Sequence, residues 1–206
     1  MQSLYLKHRP KTLDEVVGNK GTIDSLRSIL SRKDGIPHAI LFSGPSGCGK
    51  TTLARIVKNI LGCSDINYFE MNVANVRGID TIREIDQRCT YASFGGGIKI
   101  YLLDECHKLT QDAQNALLKL LEDTPSHVYF ILCTTEPEKL IKTIRTRCTT
   151  YPVHSLAKHD VRVLLENVLE KENCLKTFPQ QAIDEICKVA DGSARQALVV
   201  LDAVID

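Results

Sequence analysis

No apolar run in these 206 residues approaches the length of a membrane-spanning helix. The opening stretch, Met1 to Arg9, lacks the long apolar core of a secretory signal. No C-x-x-C pair occurs among the eight cysteines, at 48, 63, 89, 106, 133, 148, 174 and 187, so no zinc is expected. Cys133 and Cys187 fall in apolar strand or helix patterns and read as small core residues. The thiols together fit a reducing, cytoplasmic setting with no membrane partner. Neither sign of charge dominates: a net charge of +1 gives no global field for nucleic acid, so any basic footprint is local. Internal repeats and low-complexity tracts are also lacking. What remains, 43% hydrophobic and 25% charged residues, is the make-up of a soluble globular chain. Its length suits one α/β domain with a small second one.

The most informative stretch is Gly44-Pro45-Ser46-Gly47-Cys48-Gly49-Lys50-Thr51-Thr52, which reads G-x-x-x-x-G-K-T. Ala39-Ile40-Leu41-Phe42 before it reads as a buried strand. Leu53, Ile56, Val57, Ile60 and Leu61 after it have helical spacing, predicting a helix over Thr52–Leu61. Strand, glycine loop and helix together make a phosphate-binding loop. The glycines let backbone N–H groups turn inward around phosphate oxygens, and the helix N-terminus adds partial positive charge. Lys50 is then expected at the β- and γ-phosphates and the Thr51 hydroxyl at Mg²⁺, so a nucleotide site is the working expectation.

Taken in order, residues 1–37 are a lead-in: a loop, then a helix through Ile23, Leu26, Ile29 and Leu30. Residues 67–73 read as a strand, Gly78–Tyr91 as a charged helix and Ile98–Leu103 as a strand ending in Asp104-Glu105. Helix is expected over Leu109–Leu121, strand over Val128–Cys133, helix over Pro137–Thr146 and strand over Cys148–Val153. Helices alternating with mostly continuous apolar strands predict a parallel five-stranded sheet covered on both faces. The pattern changes near residues 152–155. Helices over Asp160–Lys171, Ala182–Ala190 and Ala194–Ile205 follow, with Gly192 as a C-terminal glycine and Ser193 as an N-cap. The division is an α/β domain over 1–154 and a helical domain over 155–206.

Candidate chemistry sits at the strand ends. Asp104 lies about 55 residues after Lys50, where an aspartate can stand beside Mg²⁺ and an adjacent glutamate can polarise an attacking water. The bland alternative is two exposed acids capping the next helix. Thr134-Thr135 ends the next strand, at the edge where such sheets bind ligands; a threonine is also simply a good strand residue. Arg145, Arg147 and Arg195 add cations. An arginine finger contributed by a neighbour is worth about 10³–10⁵ in rate.

These motifs, in this order, resemble the AAA+ ATPases, and within them the clamp-loader ATPase subunits of DNA replication. The likeness is to the tau/gamma type of bacterial DNA polymerase III. YLKHRPKTLDEVVG is similar to the family's adenine-pocket lead-in and GPSGCGKTT to its Walker A. IKIYLLDECHKL is similar to its Walker B in the D-E-x-H form. NALLKLLEDTPSHVYFILCTTEPEKL resembles the sensor 1 region, IRTRC the S-R-C segment and GSARQAL the sensor 2 motif. The resemblance implies that Arg9, Pro10 and Val17 border the adenine of ATP, with residues 44–52 around the phosphates. It implies Thr51 and Asp104 at Mg²⁺, Glu105 as base, Thr135 (or Thr134) as sensor 1, Arg147 as a finger acting in trans and Arg195 as sensor 2. The helical domain becomes a lid. Expected partners are other loader subunits in a homo- or hetero-oligomeric, pentameric ring, a sliding clamp and primer–template DNA. Arg77, Arg83 and Lys108 are the candidate DNA contacts, to backbone phosphate.

The sequence departs from that family in three ways. It has no four-cysteine zinc module after the phosphate-loop helix, which suggests a viral or divergent loader. Thr146 replaces the serine of S-R-C. It stops at Asp206 without the collar domain that such subunits carry. Two other functions stay open: an AAA+ ATPase of branch migration or recombination, and an ATP-binding structural subunit with little hydrolysis.

Overall fold

The structure, a computed structural model, describes residues 2–32, 35–75 and 78–205. In chain order its elements are α1 (Leu4–Lys7), α2 (Lys20–Leu30), β1 (Ala39–Ser43), α3 (Lys50–Ile60), β2 (Tyr68–Asn72) and α4 (Ile79–Cys89). Then come β3 (Lys99–Asp104), α5 (Gln111–Glu122), β4 (Val128–Thr134), α6 (Lys142–Arg147) and β5 (Thr149–Pro152). The chain closes with α7 (Lys158–Lys171), α8 (Gln180–Val189) and α9 (Ala194–Asp202). Among the described residues the strands form one parallel five-stranded sheet in the order β2-β3-β4-β1-β5.

The continuous apolar strands follow from burial on both faces. Successive strand residues point to opposite sides. Leu41, Tyr101, Leu103, Phe130 and Leu132 pack with Ile82 and Ile85 of α4 and Leu117 of α5. Ile40, Phe42, Ile100, Leu102, Ile131 and Cys133 pack with Leu26 of α2 and Leu53, Ile56 and Val57 of α3. The strand cores are sealed, with Leu41, Phe42, Leu102 and Ile131 at most 0% exposed. Truncating such a leucine to alanine costs about 2–5 kcal/mol. Lys99 is buried at the start of β3, where its ammonium donates to the Arg88 and Tyr91 carbonyls at 2.8 and 2.9 Å. It thereby caps the end of α4.

A further apolar cluster joins Val161, Leu165 and Leu169 of α7, Ile183 and Ile186 of α8, and Leu198 and Leu201 of α9. Leu4 of α1 belongs to this cluster, so part of the lead-in packs with the C-terminal helices and not against the sheet. An ion pair from Lys7 and a hydrogen bond with His8, both to Glu172 just past α7, fasten it there.

Several helix boundaries differ from the sequence reading, and three of the differences have a plain local cause. The helix expected from Thr52 starts at Lys50, directly behind Gly49, whose φ of 101° ends the loop. The helix expected from Leu109 starts at Gln111, because the Thr110 side chain caps it by accepting from the Ala113 N–H. The helix expected over 137–146 is split into a 3-10 turn, Pro137–Lys139, and α6. At the break Leu140 turns extended and drops into the core. Buried Gln114 serves the freed backbone: Ile141 N–H donates to its Oε1 at 2.9 Å, and its Nε2 donates to the Lys139 carbonyl at 3.3 Å.

Candidate nucleotide site

A parallel sheet presents all its carboxyl ends at one edge, where α/β folds bind ligands. The register places the sequence candidates there side by side. Ser43 pairs with Thr134 and with Pro152, and Asn72 pairs with Asp104. A cavity of about 270 Å³ opens at this edge, lined by the phosphate loop, Asn72, Asp104, Glu105 and Arg195.

The loop is tied in from both sides. Gly44 N–H donates to the Thr134 carbonyl at 3.1 Å. A Cβ on Gly44 would stand 1.8 Å from the Val153 carbonyl oxygen, so only glycine fits between β1 and the strand-β5 exit. The Lys50 ammonium is buried, donating to the Gly44 and Pro45 carbonyls at 2.8 Å each. The Cys48 side chain is also buried, facing the Ser46 carbonyl and the Ser155 hydroxyl. Among the caps of α3 there is no side-chain hydrogen bond, so its first N–H groups face the loop.

Thr51 Oγ1 donates to Asp104 Oδ2 at 3.0 Å. This brings together the two groups expected at Mg²⁺, and both are hard oxygen donors of the kind that cation takes. Glu105 follows in the left-handed region, φ 57°, a conformation that costs a non-glycine residue on the order of 1–3 kcal/mol. That twist turns its carboxylate towards the end of β4, where Oε2 accepts from Thr135 Oγ1 at 3.4 Å.

The structure separates the two threonines that the sequence left open. Thr135 meets Glu105. Thr134 is fully buried, accepting from the Glu136 N–H at 3.0 Å with its hydroxyl 3.1 Å from His107 Nδ1. Sequence reasoning assigned His107 and Glu136 no part in the site; the D-E-x-H spacing was the only signal, and it names no partner.

Arg195 enters from the C-terminal helices. Its backbone N–H donates to the Gly47 carbonyl at 3.2 Å, and its guanidinium lies 6.0 Å from the centre of the Tyr5 ring. Arg9, Pro10 and Val17 line the same cavity, with Tyr5 and His8 beside them. The Arg9 guanidinium is held below its usual pKa, first by burial and then by the charge of Arg55, with Arg195 adding to it. Arg55 moves the other way because it bonds both Glu70 oxygens, at 2.9 and 3.0 Å. Arg9 and Arg195, the two guanidinium groups on the cavity wall, favour an anionic occupant.

Arg147, at the end of α6, is not among the cavity-lining residues. It is half exposed and pairs with Glu122 of α5 at 2.9 Å. Of the DNA candidates, Arg83 is exposed on α4 with Asp80 3.2 Å away, and Lys108 is exposed in the 3-10 turn after Glu105. Arg77 lies outside the described residues. No grouping of side chains among the described residues offers a thiol and imidazole metal site. No helix is long and apolar enough to cross a membrane.

These residues fit a nucleoside triphosphate with its divalent cation. A glycine cradle that a Cβ would fill, a buried ammonium, a hydroxyl–carboxylate pair and an arginine wall face one cavity.

A sequence model described as "DNA polymerase III, delta subunit" matches residues 62–157. DNA polymerase III subunit gamma/tau of Mycobacterium tuberculosis H37Rv is 34% identical over 226 aligned positions, covering 98% of this chain and 39% of that protein. Subunit tau of Escherichia coli K12 is 34% identical, covering 99% of this chain and 34% of that protein. Subunit gamma of Buchnera aphidicola is 33% identical, covering 98% and 60%. The chain thus spans less than two thirds of each of these relatives. The alignments are longer than the 206 residues of the chain, so the relatives carry residues that it lacks. Among solved structures, a RuvB variant of Thermotoga maritima superposes with a TM-score of 0.76 at 22% identity, covering 95% of this chain and 64% of that one. Thermotoga maritima RuvB described as a Holliday junction branch migration motor gives 0.71 at 24% identity, covering 95% and 64%. At these identities the likeness is one of fold alone.

Proposed function

Starting from what sequence and fold make this chain, an AAA+ relative of the DNA polymerase III gamma/tau subunits, we propose that it is the ATPase part of a sliding-clamp loader. The observation that carries the reading is the joint placement of Lys50, Thr51, Asp104, Glu105 and Arg195 around one cavity at the sheet edge. Fold alone would leave many functions open; the relatives narrow the choice to DNA replication.

In this reading the loop N–H groups and Lys50 hold the phosphates of ATP, and the wall of Arg9, Pro10 and Val17 takes the base. Thr51 and Asp104 hold Mg²⁺, which when bound neutralises charge on the transferring phosphoryl group. Glu105 accepts the proton of the attacking water, anchored through Oε2 by Thr135. Arg195 senses the triphosphate, and its Gly47 bond carries that signal to helices α7 to α9, which act as a lid. Arg147 belongs to a neighbour's site. Other loader subunits, a clamp and primed DNA are the partners, and turnover is coupled to gripping and releasing the DNA. Retention of both Lys50 and the acidic pair argues against a subunit that only binds ATP.

The test is ATP turnover by the full-length protein that carries this chain, with and without primed DNA and its cognate clamp. The expected result is Mg²⁺-dependent turnover, stimulated by DNA and clamp together and lost in Lys50→Ala. Turnover indifferent to both additions would overturn the loader assignment.

A further inference from the structure

We infer that His107 is a positioning residue for Glu105, its buried Nε2–H shared between the carboxylates of Glu105 and Glu136; this rests on the reading of Glu105 as the base.

The imidazole is nearly sealed, with its side chain 3% exposed in the turn between β3 and α5. Nε2 lies 3.1 Å from Glu136 Oε1 and 3.5 Å from Glu105 Oε2. Ionised carboxylates only accept hydrogen bonds, so Nε2 carries the hydrogen whatever the state of the other nitrogen. Nδ1 is 3.1 Å from Thr134 Oγ1. That hydroxyl accepts from the Glu136 N–H and, to a neutral ring protonated at Nε2, gives its own proton to Nδ1. The ring is therefore fixed at both ends and cannot turn away from the carboxylates without stranding a buried hydroxyl.

For Glu105 the consequence is specific. Both of its anchors, His107 Nε2 and Thr135 Oγ1, fall on Oε2. The Thr135 hydroxyl bonded to Oε2 and the imidazole Nε2 facing it at 3.5 Å direct the carboxylate and leave Oε1 to meet water. Glu136 is the competitor for the same N–H. It stands on the strand-β4 exit that also carries Thr135, and Lys139 holds it from the far side at 2.6 Å. The Glu136 carboxyl lies below its ordinary pKa, chiefly because of that Lys139 bond. A shift of the 135–139 segment thus changes how the one N–H is divided, which ties the aim of Glu105 to the chain leading into α6 and Arg147.

The experiment separates reach from mere polarity. Glutamine at position 107 can place a donor where Nε2 stands, whereas asparagine reaches only the Thr134 end. ATP turnover and nucleotide affinity are measured on the full chain under Mg²⁺, for His107→Asn, His107→Gln and Glu105→Gln. Outer-shell partners of this kind act at about 10–100-fold. The expected result is a fall of kcat of about that size in His107→Asn, with KM and ATP affinity held within about threefold. His107→Gln is expected to stay within about fivefold of the parent. Equal kcat for His107→Asn and the parent, beside a dead Glu105→Gln, would overturn the inference and leave the reading of Glu105 standing. Equal losses in both His107 variants, with a matching fall in melting temperature, would also overturn it by reducing His107 to a structural role. Parent-like turnover in Glu105→Gln would instead remove the reading of Glu105 as base.

Discussion

The backbone N–H of Arg195 donates to the Gly47 carbonyl at 3.2 Å, so α9 begins on the phosphate loop itself. The same contact leaves no room at Gly47. Its φ is +75°, and a Cβ there would meet Ser193 Oγ at 2.3 Å. Ser193 is the N-cap of α9, accepting from the Gln196 N–H, so a side chain at position 47 pushes on the cap of the helix that carries Arg195.

Gly47→Ala is therefore expected to lower stability by about 1–2 kcal/mol from the left-handed backbone alone. For a chain of this size that is a fall in melting temperature of roughly 2–8 °C. Calorimetry of the parent and variant checks it; melting curves that coincide would contradict the contact.

The two threonines at the end of β4 are expected to fail differently. Thr134→Val leaves His107 Nδ1 and the Glu136 N–H without their partner in a sealed site, costing about 1–3 kcal/mol of stability. Thr135→Val removes the hydroxyl bonded to Glu105, lowering turnover about 10–100-fold while the melting temperature hardly moves. Thermal melts and steady-state ATPase on both variants decide, and the reverse pattern would exchange their roles.

The thiols give a check on the core that is independent of function. Burial pushes the Cys89 thiol up to about 11 and Cys148 up to about 12, and it raises Cys106 and Cys133 as well. The thiolate is the reactive form, so these stay inert at pH 8. Among the described residues Cys174 is the one cysteine not classed as buried. A thiol reagent at pH 8 is expected to modify Cys174 first and the others only as the chain unfolds. A second thiol reacting as fast in the folded protein would contradict the packing described.

Much of this was legible in the sequence because continuous apolar strands and a glycine loop leave few alternatives. The sheet, the loop and the placement of Asp104 beside Thr51 all follow from pattern. What pattern missed depends on tertiary partners. Leu4 joins the C-terminal helices because α1 packs on α9, which is far away in the chain. The helix break at Leu140 depends on Gln114 supplying both a donor and an acceptor to distant backbone. That Thr135 and not Thr134 meets Glu105 turned on the strand's alternation and on Glu105 taking a positive φ, which no propensity forecasts for glutamate. His107 looked like one letter of a motif until two carboxylates were found at its Nε2.

In the proposed composite site, Glu105 comes from one subunit and Arg147 from its neighbour. The most direct measurement mixes two variants: Glu105→Gln, which keeps the proposed finger, and Arg147→Ala, which keeps the proposed base. ATP turnover is read at concentrations where the parent's rate rises with assembly. Each variant alone is expected to be reduced at least about a thousandfold or to background. An equal mixture is expected to recover about a quarter of the parent rate, the share of neighbouring pairs in a random assembly that join an intact Glu105 to an intact Arg147. No recovery on mixing, or a parent-like rate in Arg147→Ala alone, would contradict the composite site.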